Sequence, residues 1–217
     1  ATTTDATTTD ATTDATTDAT TDATTTGGGG PGSVTIPADI ATCVLLGVSM
    51  TYPYAGPATC EMKASAVNGS EGALVHDTSF TAQDGGGRPA LIFLRFPIPA
   101  ELAGKTFNNA TLTIRTIDYF EAGGSIGDLK RCQPFDLTTL ASGVPPPVIN
   151  VGFGGAPIGP GQSATFSFSP MNINLLELQP GGSLYLSYVP LDNNGALYWG
   201  AKAPVEANRP VLVLNYE

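Results

Sequence analysis

The first 26 residues of this 217-residue chain contain only threonine, alanine and aspartate, in repeats of the form ATTTD and ATTD. None of these side chains is apolar and larger than alanine, so the segment cannot bury enough surface to offset its loss of entropy on ordering. The hydrophobic core must therefore come from the rest of the chain. The glycine-rich stretch that follows divides the chain into an arm (1–26), a hinge (27–33) and a folded domain (34–217).

The domain alternates short runs of apolar and β-branched residues with turn residues. The whole chain has 26 glycines and 18 prolines, and only 13 % of its residues are charged. This pattern predicts an all-β domain, a β-sandwich of jelly-roll or Greek-key type, with one short helix at Met171–Leu178. The predicted extended segments are Val34–Ile36, Ile40–Met50, Cys60–Val67, Ala73–His76, Ser79–Ala82, Ala90–Phe96, Ala110–Ile117, Val148–Phe153, Ala164–Phe168, Ser183–Val189, Ala196–Trp199 and Val211–Tyr216.

The chain is acidic, with a net charge of −10. The arm carries five aspartates and no base, and the rest of the chain has fourteen acidic and nine basic residues. An acidic chain without a basic cluster repels phosphate, which is against a nucleic-acid partner. No apolar run approaches the roughly 20 residues of a membrane span. The chain begins at Ala1 without a methionine, and we interpret it as a processed mature chain or a fragment.

The three cysteines are Cys43, Cys60 and Cys132, and their spacing fits no zinc motif. In an oxidising compartment we expect one disulfide and one odd thiol. We predict the pair Cys43–Cys60, facing each other across a hairpin. Three buried, reduced cysteines are the alternative.

The sequence predicts no enzyme and no cofactor. Its one histidine, His76, is expected at the surface or at a strand end, and no G-x-S-x-G nucleophile motif is present. Acidic pairs such as Asp118 with Glu121, or Asp192 with Glu206, are conceivable for glycoside hydrolysis. The chain after the arm has fourteen acidic residues, however, so chance pairs of acids are expected there.

The sequence also contains a weak candidate site for calcium and one for sugar. Asp192 and Asn194 offer oxygen ligands for calcium in a turn-prone loop, although the same residues suit a plain Asn-Gly turn. Sugar rings stack on exposed aromatic faces, and Tyr119, Tyr198 and Trp199 are the candidates chosen from a wider aromatic set that also includes Tyr52, Tyr54 and Phe120. For Trp199, packing in the core or on the sheet is the alternative.

Glycosylation is the most prominent candidate modification. Dense threonine among small neighbours is typical of O-glycosylated stalks, and a flexible linker without sugar is the alternative. Asn68 and Asn109 begin N-x-S/T sequons. The candidate threonines are Thr2, Thr3, Thr4, Thr7, Thr8, Thr9, Thr12, Thr13, Thr16, Thr17, Thr20, Thr21, Thr24 and Thr25.

The arm also suggests self-assembly. A segment that reaches onto the next copy makes a head-to-tail contact, which propagates into a filament if it does not close. The repeat is too polar to fill a hydrophobic groove. The better candidates for adding to a sheet edge of a neighbour are Ser33–Ile36 and Ile40–Val48.

Two segments resemble a known family. These are Ala90–Thr116 (ALIFLRFPIPAELAGKTFNNATLTIRT) and Gly195–Tyr216 (GALYWGAKAPVEANRPVLVLNY). Together they resemble the DNRLRE-type domain of bacterial and archaeal extracellular proteins, a jelly roll similar to carbohydrate-binding modules. Lys130–Leu140 lacks the tryptophan often found in that family. The resemblance implies a domain attached to surface proteins or polysaccharide-active enzymes, and it implies sugar binding.

Taken together, these features predict a non-enzymatic, extracellular or cell-surface protein. The favoured role is a structural subunit of a glycosylated fibre, in which copies join head to tail through the arm. The alternative is a carbohydrate-binding or adhesive module on a passive linker. The expected partners are further copies of the chain and, in the alternative, polysaccharide.

Overall fold

The computed structural model describes residues 31–217, and these form a β-sandwich of two antiparallel sheets. The all-β prediction is confirmed. Eleven strands make up the sheets of the described chain: β1 Gly32–Pro37, β2 Ile40–Leu45, β3 Ala73–Phe80, β4 Arg88–Pro97, β5 Phe107–Arg115, β6 Asp128–Cys132, β7 Pro147–Gly152, β8 Ser163–Phe168, β9 Ser183–Val189, β10 Ala196–Trp199 and β11 Val211–Tyr216.

One sheet has four strands in the order β1-β11-β5-β8. The other has seven, in the order β10-β3-β4-β9-β6-β7, with β2 paired to β4. The chain passes repeatedly from one sheet to the other, for example between β1 and β2 and between β4 and β5. Such crossings between two packed antiparallel sheets are typical of Greek-key and jelly-roll connections.

The main core lies between the two sheets. Strand β5 turns Ala110, Leu112 and Ile114 inward, in the period-two pattern of a half-buried strand. The facing strands β4 and β9 contribute larger side chains such as Phe96 and Tyr188. A second, smaller cluster around Phe93 and Leu140 covers part of the seven-stranded sheet. Within residues 31–217, the core residues begin at Val34, the first residue of the predicted folded domain.

The segment Cys60–Val67, predicted as a strand, is instead part of helix α1, Pro57–Asn68. Proline suits the first turn of a helix, and Gly69 ends this one in the left-handed conformation, with φ of 72°. The alternation of apolar residues was misleading. Cys60 and Ala64, four residues apart, are buried, whereas Met62 between them is 63 % exposed.

The structure differs from the local predictions in four other places. The expected helix at Met171–Leu178 is only a short 3-10 turn, Ile173–Leu176. A helix does form at α2, Leu137–Ser142, where the Asp136 side chain accepts a hydrogen bond from the Thr139 backbone N–H. Strand β2 ends at Leu45 rather than Met50, and β6 was not predicted at all.

Candidate functional site

Strand β1, the segment that follows the hinge, forms one edge of the four-stranded sheet. It pairs antiparallel with β11 along its whole length, from Gly32 opposite Tyr216 to Pro37 opposite Val211. Ser33 and Thr35 face solvent, and Val34 and Ile36 are 1 % and 2 % exposed. The first described element is therefore attached to the domain through one ladder and two buried side chains.

The start of β1 passes close to the ring of Tyr216. A Cβ atom on Gly32 would lie 2.8 Å from the Cζ and Oη atoms of Tyr216, closer than real contacts allow. The ammonium of Lys105 lies 5.5 Å from the centre of the same tyrosine ring. The first residue of β1 thus lies beside an aromatic ring, and that ring is in contact with a cation.

The end of β1 is a tight corner of two residues, Ala38 and Asp39, which carries the chain into β2 in the other sheet. The Ala38 N–H donates to the Pro210 carbonyl at 3.0 Å, and the Asp39 N–H donates to the Arg95 carbonyl at 3.0 Å. The Asp39 carboxylate also accepts from Arg95, with Nε–Oδ1 at 2.9 Å and Nη2–Oδ2 at 2.7 Å.

This bidentate ion pair holds the corner closed, and its hydrogen bonds raise the pKa of Arg95. Both side chains are about one-third exposed, so water screens the pair. A cavity of about 250 Å³ adjoins the corner, with Pro37, Ile98 and Arg209 in its lining. The corner is thus held by a few polar contacts and by Ala38, which is buried in the main core.

Asp192 and Asn194, proposed as calcium ligands, lie in a turn in which the Asp192 carboxylate accepts two hydrogen bonds. The Asp192 Oδ2 atom accepts from the Ser125 hydroxyl at 2.7 Å, and Oδ1 accepts from the Asn194 N–H at 2.9 Å. These bonds lower the pKa of Asp192. Within residues 31–217, no group of three or more histidine, cysteine and acidic residues is arranged to hold a metal. The geometry fits the alternative of a hydrogen-bonded turn.

His76 lies in the core, not at the surface or a strand end. Its ring stacks on that of Tyr188, with 4.0 Å between centroids, and the Tyr188 hydroxyl lies 3.0 Å from that of Tyr198. Burial lowers the pKa of His76 to about 3, although the Val189 carbonyl and Asp192 favour its charged form. The imidazole is therefore neutral and packed, with no solvent-facing atom for acid–base chemistry.

Two of the three residues proposed for sugar stacking are buried. Tyr198 is 1 % exposed and Trp199 is 8 % exposed, because all four residues of β10 pack into the core. Neither ring has a face open to a sugar, which is against the prediction for these residues. Tyr119 is half-buried, and its ring lies 4.7 Å from that of Phe120. Phe120, set aside in the final choice, is 76 % exposed.

Cys43 and Cys60 form a disulfide in the structure. The reason given from the sequence was wrong, because the bond joins strand β2 to helix α1 and does not cross a hairpin. Cys132 is unpaired and buried, and burial raises the pKa of its thiol to about 12. A thiol with so high a pKa is protonated and unreactive at neutral pH.

The conceivable acidic pairs make local contacts. Asp118 forms an ion pair with Arg115 at 3.3 Å, and Asp192 is held by Ser125 as described above. Glu121 lies 3.5 Å from the Tyr119 hydroxyl, at the limit of a hydrogen bond. These contacts are structural ones of the kind expected for exposed acids.

Of the predicted glycosylation positions, Asn109 is described most fully. It is exposed on β5, with Thr111 of its sequon two residues further on the same face, and its side-chain carbonyl accepts from Asn215. Asn68 is the last residue of α1. The candidate threonines, Thr2 to Thr25, lie outside the described residues.

No protein-family model matches the chain, and no curated protein matches it in sequence. Among the described helices, none is long and apolar enough to cross a membrane.

Proposed function

We propose that this protein is a non-enzymatic structural subunit of an extracellular glycosylated fibre, in which copies join head to tail through the N-terminal part of the chain. The observation that carries this proposal is the position of β1. The acidic arm leads, through a glycine-rich hinge, directly into an edge strand that one ladder holds in place. Edge strands are a common route by which protein chains pair with each other.

The composition of the domain suits a load-bearing subunit outside the cell. A buried disulfide ties α1 to the sandwich, and disulfides persist in oxidising compartments. The exposed sequon at Asn109 and the threonine-rich arm provide attachment points for sugars. The resemblance to DNRLRE-type domains fits this role, since such domains are parts of extracellular proteins.

Negative-stain electron microscopy tests the assembly. We expect filaments from the full chain and none from a variant that lacks residues 1–37, which removes the arm, the hinge and β1. In a matched control, a Gly/Ser sequence of equal length replaces residues 1–26. Filaments from this control assign the contact to the part after the repeat, and their loss assigns it to the repeat. Monomers from the full chain contradict the proposal.

Mass spectrometry of the native protein tests the glycosylation. The bare chain has a mass of 22.2 kDa, and sugars on the arm and on Asn109 raise it. Digestion separates the arm from the peptide that contains Asn109. An intact mass equal to that of the bare chain contradicts this part of the proposal.

One observation favours the alternative, a carbohydrate-binding or adhesive module. Phe120 is exposed beside the half-buried Tyr119, which gives a small aromatic surface outside the core. In that case Phe120→Ala reduces binding on a glycan array, and Met171→Ala, which removes an exposed apolar side chain outside this aromatic pair, does not. Equal binding by both variants and the parent chain is against this second function.

A further inference from the structure

We infer that the contact between subunits is an exchange of strand β1, in which Gly32–Pro37 of one copy takes the place beside β11 of a second copy. The inference rests on the proposed function and specifies its interface. The partner is a second copy of this chain, because the groove that β1 occupies is already complementary to β1 itself. In that groove β1 forms six residue pairs with β11, and the side chains of Val34 and Ile36 are buried.

Exchange changes few contacts. A β1 strand donated by another copy makes the same ladder and buries the same two side chains as the chain's own β1. The two states therefore differ mainly at the corner, where Ala38 and Asp39 connect the strands. Exchange of an identical element is accordingly a low-cost route to association, and short connections favour it.

The corner has the features of a connection that opens. Two backbone hydrogen bonds and the half-exposed Asp39–Arg95 ion pair hold it closed. Strand β2 is buried at all six of its positions and stays in its own domain. Straightening the corner extends Gly32–Asp39 beyond β2 as one run of eight residues, about 26 Å long at about 3.3 Å per residue. That length moves β1 out of its place beside β11 of its own domain.

Exchange in one direction gives a polymer. Each copy donates β1 and receives another β1 beside its own β11, so the donating and receiving surfaces differ. Contacts of this heterologous kind propagate unless the geometry closes them, and a reciprocal exchange gives a closed dimer. In both cases Gly32, the first residue of the donated strand, lies opposite Tyr216 of the receiver, whose ring is 5.5 Å from the Lys105 ammonium.

Cross-linking of single cysteines tests the exchange in the full chain. Thr35 and Val213 are opposite each other in β1 and β11, and neither is buried. Two variants, Thr35→Cys and Val213→Cys, carry tags of different size, are unfolded, refolded together and treated with a short bis-maleimide. If β1 is exchanged, position 35 of one variant lies opposite position 213 of the other, and we expect a covalent heterodimer. Neither variant alone has both exposed thiols, so neither can form this cross-link by itself. The control is a mixture of the single variants Thr35→Cys and Thr165→Cys, because Thr165 lies on β8 at the opposite edge of the sheet.

A second variant decides the same question within one chain. Thr35→Cys/Val213→Cys gives a ladder of covalent multimers if β1 is exchanged, and internally linked monomers if it is not. Monomers, together with heterodimers no more abundant than in the control, overturn the exchange. If filaments still form, only the exchange fails; if no filaments form, the proposed function fails as well. Cross-linked dimers without filaments support the exchange and contradict the fibre.

Discussion

Cys43 and Cys60 are 17 residues apart in the sequence, and their disulfide brings their Cα atoms to 5.7 Å. The bond fixes α1 against β2, the strand that stays in place when β1 moves. Both residues are fully buried, and Ala64 on the next turn of the helix is buried beside the same core. The part of the sandwich nearest the corner is therefore covalently reinforced.

We predict that Cys43→Ala/Cys60→Ala lowers the free energy of unfolding by about 3 kcal/mol, because a cross-link that closes a loop of this length restricts the unfolded chain by about that amount. Urea denaturation monitored by tryptophan fluorescence measures the change. The control is Cys132→Ala, which removes one buried sulfur and no cross-link. A loss no larger than that of the control shows that the bond contributes little.

His76 makes the stability depend on pH. Its pKa is about 3 in the folded protein, below the ordinary value of 6.5. As the pH falls, the histidine is therefore protonated in the unfolded chain before it is protonated in the folded protein. Stability is complete above pH 6.5 and falls as the pH decreases toward 3, by up to about 1.4 kcal/mol per pH unit.

His76→Phe removes this dependence, because phenylalanine can stack on Tyr188 without ionising. The carboxyl groups of Asp77 and Asp192 titrate in both proteins: the pKa of Asp77 is raised by burial and that of Asp192 is lowered by its hydrogen bonds. Thermal melts from pH 3 to 8 should therefore differ between the two proteins mainly by the histidine contribution. If the melting temperatures of the parent protein and of His76→Phe change with pH in parallel, the prediction is wrong.

Gly32→Ala should weaken the docking of β1. The new methyl group meets the ring of Tyr216 at 2.8 Å, and overpacking of this kind costs about 1–3 kcal/mol. Hydrogen exchange of the β1 amides measures the docking. Ser33→Ala, at the neighbouring exposed position, is the control and should leave exchange unchanged. Equal protection in both variants means that the ring moves aside without cost.

Asp39→Asn should speed the exchange of β1 with little effect on stability. It removes the charge that pairs with Arg95, and a half-exposed pair contributes less than about 1 kcal/mol. The rate at which the Thr35→Cys and Val213→Cys chains become cross-linkable measures the effect. Asp118→Asn breaks the exposed Asp118–Arg115 pair away from the corner and is the matched control. Equal rates for both variants show that the corner does not limit opening.

Local patterns in the sequence were sufficient for much of the fold. Strands β9, β10 and β11 begin and end where predicted, because each is a run of β-branched, aromatic and apolar residues between turn residues. Helix α1 was not predictable in this way. Its two buried residues, Cys60 and Ala64, are small, so the helical period was hidden by the exposed Met62.

The candidate site was less accessible to sequence reasoning. Whether an aromatic residue faces solvent depends on which sheets meet at it. This is why Tyr198 and Trp199 were candidates for sugar stacking, Trp199 with core packing as the alternative that the structure confirms, and why Phe120 was set aside. The burial of His76 depends on Tyr188, more than a hundred residues away. Ser33–Ile36 was predicted as an extended segment that could add to a sheet edge of a neighbouring copy, and its pairing with β11 of the same chain was not predicted.

The antiparallel pairing of β1 with β11 has a mechanical consequence. A pull transmitted along the chain through β1 acts along the strand axis, so the six residue pairs of the ladder are loaded together in shear. A pull across the sheet would open them one after another, like a zipper. A fibre joined by this strand therefore resists tension along its axis far better than peeling from its side.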